Sequence, residues 1–89
     1  MIVRDPTIRG GRPVIAGTGV TVHRVAGWYK LGLRPEEIAS RIGLSPAQVY
    51  AALAHYHANR DLIDDEIAAD EAEADRLEQE HYLSLQSSS

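Results

Sequence analysis

The spacing of hydrophobic positions changes along the chain and divides it into segments of different build. Val14 and Ile15, then Val20 and Val22 flanking Thr21, are short β-prone runs around the turn-forming Gly17-Thr18-Gly19, the pattern of a hairpin or a pair of edge strands. Ile2 and Val3 add a further short strand. From His23 to Leu31 the residues Val25, Ala26 and Tyr29 recur at helical spacing behind Val22, and Gly32 is placed to close that helix in a left-handed conformation. Pro35 suits a first helical position, Glu36 and Glu37 sit near the positive end of the helix dipole, and Ile38, Ala39 and Ile42 form an inward face, which predicts a second helix. After a turn at Gly43-Leu44, the run Ser45-Pro46-Ala47-Gln48 supplies a hydroxyl cap, a proline at the first helical position and a glutamine able to reach back to the cap. It predicts the start of a third helix, with Val49, Ala52, Leu53 and Tyr56 as its buried stripe.

Every Gly and Pro lies at or before Pro46, so nothing breaks the Ala-, Glu- and Leu-rich stretch that follows Asn59. Either Asp61 caps a new helix there or the third helix runs on. The apolar stripe of this last segment, Ile63, Ile67, Ala74 and Leu77, is narrow and interrupted by acids, and is expected to serve a partner more than the chain's own core. The fold class is therefore mostly α: short N-terminal strands or a hairpin, a three-helix, homeodomain-like helix-turn-helix head over residues 1–60, a long C-terminal helix over 61–86, and a disordered tail at 87–89. A chain cut after Asn59 is expected to keep the head folded and to lose the partner.

Charge sharpens that division. The net charge of −4 over 89 residues hides a head with eight Arg or Lys against three acids, followed by a C-terminal segment in which Arg76 alone faces ten acids. A basic surface attracts phosphate and an acidic one repels it, so the two segments suit two different partners. A chain this short buries only about 60% of the surface it exposes when unfolded, and without cysteine it has no disulfide or thiolate zinc site to reinforce its core. A homodimer is the simplest source of extra stability. No apolar run reaches the roughly 20 residues that span a bilayer, and the N-terminus lacks the order of a signal peptide, so a cytoplasmic protein is expected.

Residues 36–56 have the spacing of a helix-turn-helix, with Ala39 where two helices cross, Gly43 in the turn, and Val49 and Leu53 inside the second helix. In that arrangement Ala47, Gln48, Ala51 and His55 face bases, with Gln48 as the amide able to bond adenine at two points, and Ser45 faces phosphate. The third helix has no Arg or Lys of its own, so phosphate affinity falls to Arg24, Arg34 and Arg41, with Lys30, Arg4, Arg9 and Arg12 nearby. Two heads about a two-fold axis would double these contacts on a palindrome.

The run from Asp5 to Tyr56, with Gly11, Pro13-Val14-Ile15, Gly17-Thr18, Val20 and Val22, then Gly32, Pro35 to Ile38 and Leu44-Ser45, resembles domain-of-unknown-function family 433, the VapB-like antitoxins. The resemblance covers roughly residues 2–58. Gly19 stands where the family usually has Arg, and Thr21 where it often has Pro. The resemblance implies a type II antitoxin that binds its own operator DNA and neutralises a PIN-like ribonuclease toxin. On that reading Asp64, Asp65, Glu66, Asp70, Glu71, Glu73 and Asp75 meet basic toxin surface, and Ile63, Ile67, Leu77, Tyr82 and Leu85 anchor apolar pockets. Arg76 either reaches the toxin's metal-binding carboxylates or pairs within its own helix with Glu73 or Glu80. The alternative is an adaptor whose helix-turn-helix is only a scaffold for protein contacts.

The remaining polar residues give no catalytic pattern. His55 and His57 are two apart on a helix and diverge, and His23 and His81 have no evident partners, so surface or cap positions are expected for them. The glycine pairs lack the lysine of a phosphate loop and read as turns. Trp28, Tyr50 and Tyr56 read as core or dimer contacts. No enzyme activity, metal or cofactor is expected.

Overall fold

A computed structural model describes residues 1–87. The element order is β1 (Ile2–Val3), β2 (Val14–Ile15), α1 (Val22–Lys30), α2 (Pro35–Ile42), α3 (Pro46–Ala58) and α4 (Arg60–Ser87), with a short 3₁₀ turn at Arg9–Gly11 between the strands. The expected class holds: a mostly helical chain with a small antiparallel sheet at its N-terminus and a long last helix.

The strands β1 and β2 pair antiparallel with Ile2 opposite Ile15 and Val3 opposite Val14. Glycines at positive φ let the intervening chain turn back, Gly10 at 65° and Gly11 at 80°. The expected Val20–Val22 strand is reduced to one bridge between Val14 and Thr21, because the Thr21 hydroxyl already accepts the Arg24 amide at 3.0 Å as the N-cap of α1. Gly32 ends α1 at φ 97°, as its position predicts.

The α2–α3 connection follows local chemistry closely. Glu37 Oε1 accepts the Arg34 amide at 3.2 Å, and Gly43 closes α2 at φ 70°. Ser45 and Gln48 form a reciprocal capping box at the start of α3: Ser45 Oγ accepts the Gln48 amide at 3.2 Å, and Gln48 Oε1 accepts the Ser45 amide at 2.8 Å.

The core lies where α1, α2 and α3 meet over β2, with Ile15, Val22, Val25, Ile38, Val49 and Tyr56 buried in it. It also contains Ile63 of α4, only 1% exposed, while Ile67 packs against it. This corrects two expectations. The head does not end at residue 60, and the first two turns of α4 belong to it, so a chain cut after Asn59 would lose a core side chain. The break between α3 and α4 falls at Asn59, whose carbonyl accepts the Ile63 amide at 3.0 Å. Asp61 lies inside the first turn of α4 and does not cap it. Tyr29, which shares the helical spacing of Val25 and Ala26, is exposed and meets His57 edge to face at 5.6 Å between ring centres. Ser87 closes α4 within the expected tail, and Ser88 and Ser89 lie outside the described residues.

Candidate nucleic-acid and partner interfaces

The α2–turn–α3 pair places the first turn of α3 on the outside of the head. Ser45 and Ala47 are exposed there, and Gln48 and Ala51 are half-buried beside them. The expected role of Gln48 as a two-point base reader is corrected by the cap: its carbonyl oxygen is held by the Ser45 amide, leaving only its NH2 group to donate outward. His55 is corrected too. Its ring turns inward, so that Nε2 is buried with no hydrogen-bond partner among the described residues. Burial lowers its pKa from the usual 6.5, and the positive charge of Arg4 and the neighbouring His23 act in the same direction.

The side chain that does occupy the outer face of α3 is Tyr50. It is 49% exposed, and its hydroxyl donates to Glu36 Oε1 of α2 at 2.6 Å, tying the two helices across the turn. That bond lowers the Glu36 pKa and raises that of Tyr50. Tyr50 was grouped by sequence with core or dimer contacts. Its offset of three from Ala47 on the same helix was the available signal for the outer face.

The three arginines expected to hold phosphate are all exposed. Arg24 of α1 and Arg41 of α2 converge on the Trp28 ring, with guanidinium carbons 6.0 and 5.6 Å from its centre. Arg34 stands at the start of α2. None of the three forms an ion pair among the described residues. Arg9 is used internally: its Nε donates to the Gly19 carbonyl at 3.1 Å, and a Cβ at Gly19 would lie 3.4 Å from the same guanidinium. The glycine at position 19 thus leaves room for Arg9 to lie over the turn.

The proximal half of α4 faces its own head, which corrects several assignments to a toxin surface. Ile63 is a core residue and offers no free anchor, while Ile67 is half-buried against the core. Asp70 accepts both ends of the Arg12 guanidinium, at 2.6 and 2.9 Å, and this lowers the Asp70 pKa. Asp64 accepts Tyr56 Oη at 2.7 Å and Lys30 Nζ at 3.1 Å, and these bonds lower its pKa while the Asp64 contact raises that of Lys30. Glu66 Oε1 meets His23 Nε2 at 3.1 Å. His23 is accordingly a buried residue of α1 and not a surface position, 6% exposed. These contacts were legible in principle, because Glu66 and Asp70 fall on the same helical face as Ile63 and Ile67.

Beyond Asp70 the helix projects from the head, and every described side chain from Glu71 to Gln86 is exposed. Arg76 takes the intrahelical option, pairing with Glu73 and Glu80. Glu73, Leu77 and Tyr82 remain on the projecting segment, the last two more than half exposed. The partners of α4 in the head are Arg12, His23, Lys30 and Tyr56, none of them in α2 or in the first turns of α3. The anionic helix therefore leaves the α2–α3 turn uncovered. Among the described residues no group of three His, Cys, Asp or Glu is arranged to hold a metal ion, and no helix is long and apolar enough to cross a membrane.

The model of a family described as "Protein of unknown function (DUF433)" matches residues 2–56, more than half of the chain. No curated protein and no solved structure matches it.

Proposed function

The chain belongs to domain-of-unknown-function family 433, and from that premise we propose that it is the antitoxin of a type II toxin-antitoxin system. In this reading the α2–α3 pair of the head binds the operator of its own operon, and the projecting part of α4 neutralises a PIN-like ribonuclease. The observation that supports it is the separation of the two charged surfaces. Arg24, Arg34 and Arg41 stand exposed around a helix-turn-helix that α4 does not cover, while the segment from Glu71 to Glu80 extends from the head with its carboxylates in solvent. Such an arrangement lets a polyanion and a basic protein surface be engaged at once.

The inhibitory segment is shorter than the whole acidic helix. Asp64, Glu66 and Asp70 are engaged by the head, so the toxin-facing set reduces to Glu71, Glu73, Asp75 and Glu78, with Leu77 and Tyr82 as apolar anchors. Arg76 lies between two carboxylates of its own helix and has to leave them to meet those of a nuclease.

Binding of the full chain to the DNA upstream of its own gene, measured by fluorescence anisotropy against salt, tests the first half of the reading. A steep loss of affinity with salt is expected, with Arg34→Ala and Arg41→Ala each reducing the slope of log K against log[salt] by about one. Absence of salt-dependent binding would favour the adaptor reading. One specific observation points that way: Tyr50–Glu36 and the capped Gln48 leave the outer face of α3 without a cation and place a carboxylate beside it.

A further inference from the structure

Where α4 leaves the head, it and α1 enclose an open groove. Gly27, Trp28 and Leu31 of α1 and Ile67 of α4 give it an apolar floor, and Arg24, Lys30 and Glu71 stand at its rim. Leu31 is 79% exposed, a large apolar side chain with little cover in a domain whose core is small. Arg24 forms no ion pair among the described residues, so its guanidinium is open to a carboxylate at the rim, while Arg41 of α2 meets the Trp28 ring from outside the groove lining.

The face of α4 that meets the head continues beyond it. At 3.6 residues per turn, the line through Ile63 and Ile67 passes on to Ala74 and Leu77, with Tyr82 at its edge. The same subunit cannot fold this extension into its own groove. The helix is unbroken to Ser87, and its rise carries Leu77 and Tyr82 about 9 and 16 Å past Glu71, away from the floor.

We propose that the groove seats the distal α4 of a second copy of this chain, and that two copies exchange these segments about a two-fold axis near Ala74. Ile67 and His81 lie seven residues on either side of Ala74. An antiparallel crossing at that small side chain therefore lays the Leu77–Tyr82 turn of each copy over Ile67, Trp28 and Leu31 of the other. The donated turn carries Asp75 and Glu78, and the accepting rim presents Arg24, so the apolar contact is joined by a charged one at the rim, which must outweigh the acids that the crossing brings near each other. The contact is self-complementary: each copy gives one segment and receives one, and two grooves are filled by a single closed arrangement. This inference does not rest on the proposed DNA and toxin roles, but it uses Leu77, Tyr82 and Arg24, which those roles engage as well, so the exchanged dimer is the state of the free chain and gives way when toxin or DNA binds.

The test is sedimentation equilibrium on the full chain, using wild type, Leu31→Asp and Leu77→Asp. Wild type is expected to dimerise, and each variant alone to show a dimer dissociation constant raised about tenfold or more. Mixing the two variants recovers heterodimer, because the intact segment of the Leu31→Asp chain faces the intact groove of the Leu77→Asp chain. A monomeric wild type overturns the proposal. So does a Leu31→Asp chain that still dimerises, which shows helix-to-helix pairing without the groove, or a Leu77→Asp chain that still does, which shows pairing of grooves alone. Failure of the mixture to pair overturns it as well. Both positions are exposed, so both variants keep the wild-type helical circular dichroism; any variant that loses it is replaced by the Ser substitution at the same position.

Discussion

Replacing Ile63 with alanine separates a core role from a partner-binding role for the start of α4. Ile63 is 1% exposed and lies in the cluster that includes Tyr56 and Val25, although it follows the break at Asn59. Ile→Ala removes buried carbon and leaves a cavity that the surrounding helices fill only in part, at a cost of about 3 kcal/mol within a usual range of about 2 to 5. Alanine is also the better helix former, so the loss is not a propensity effect. A domain this small has total stability toward the lower end of about 5 to 15 kcal/mol, and each kcal/mol moves its midpoint by roughly 4–8 °C. The midpoint should therefore fall by about 12 to 24 °C in a thermal melt followed by circular dichroism. Leu62→Ala is the control: its side chain is 54% exposed one residue earlier on the same helix, and its effect should stay within about 0.5 kcal/mol. If Ile63→Ala melts within a few degrees of Leu62→Ala, α4 is not part of the head and its early residues are free for a partner.

Other expectations follow from the contacts of α4 and the caps. The Arg12–Asp70 pair is bidentate but half in solvent, so a double-mutant cycle with Arg12→Ala and Asp70→Ala should give a coupling of about 1 kcal/mol at most, shrinking as salt is added to urea melts. Asp64 and Asp70 have folded-state pKa values below 3.8, so their contribution is complete above that pH and is lost as the pH falls through the lowered values; Asp70→Asn should flatten the acid limb of a pH–stability curve. His55 is also depressed in the folded state, from 6.5, and its neutral form is the one that fits. Stability from this group is complete above about 6.5 and declines as pH falls below it, and His55→Gln should weaken that decline in melts between pH 7.5 and 5.5. Ser45→Ala removes a hydroxyl cap from α3 and should cost about 1 kcal/mol in the same melts, whereas Ser40→Ala, on the exposed side of α2, should not.

The sequence carried the head in detail because its signals are local. Ser45, Pro46 and Gln48 specify one helix start through bonds made within four residues, and Gly32 and Gly43 mark the two helix ends by the φ they allow. The α4 assignments were less legible because they depend on which surface lies opposite. An acid-interrupted stripe reads as partner-facing when the chain is taken one helix at a time. Once α1 and the turn before β2 are beside it, Glu66 and Asp70 prove to be the mates of His23 and Arg12. The same cause misplaced His55 and Gln48: their helical positions were read correctly, but an inward ring rotamer and a filled cap decide which atoms remain available. Tyr50 reads from sequence as a core or dimer contact; its three-residue offset from Ala47 indicates the outer face, and its tie to Glu36 holds it there.

The proposed division of labour between head and projecting helix is tested most directly by RNA cleavage with the PIN-like ribonuclease that the proposal pairs with this chain, titrated with the full chain and with a chain ending at Glu71. The shortened chain keeps Ile63, Ile67 and the Arg12–Asp70 pair, so it should show the same folded baseline by circular dichroism while no longer arresting cleavage at concentrations where the full chain arrests it completely. Equal inhibition by the two would place the inhibitory surface on the head and contradict the assignment of the distal helix to the toxin.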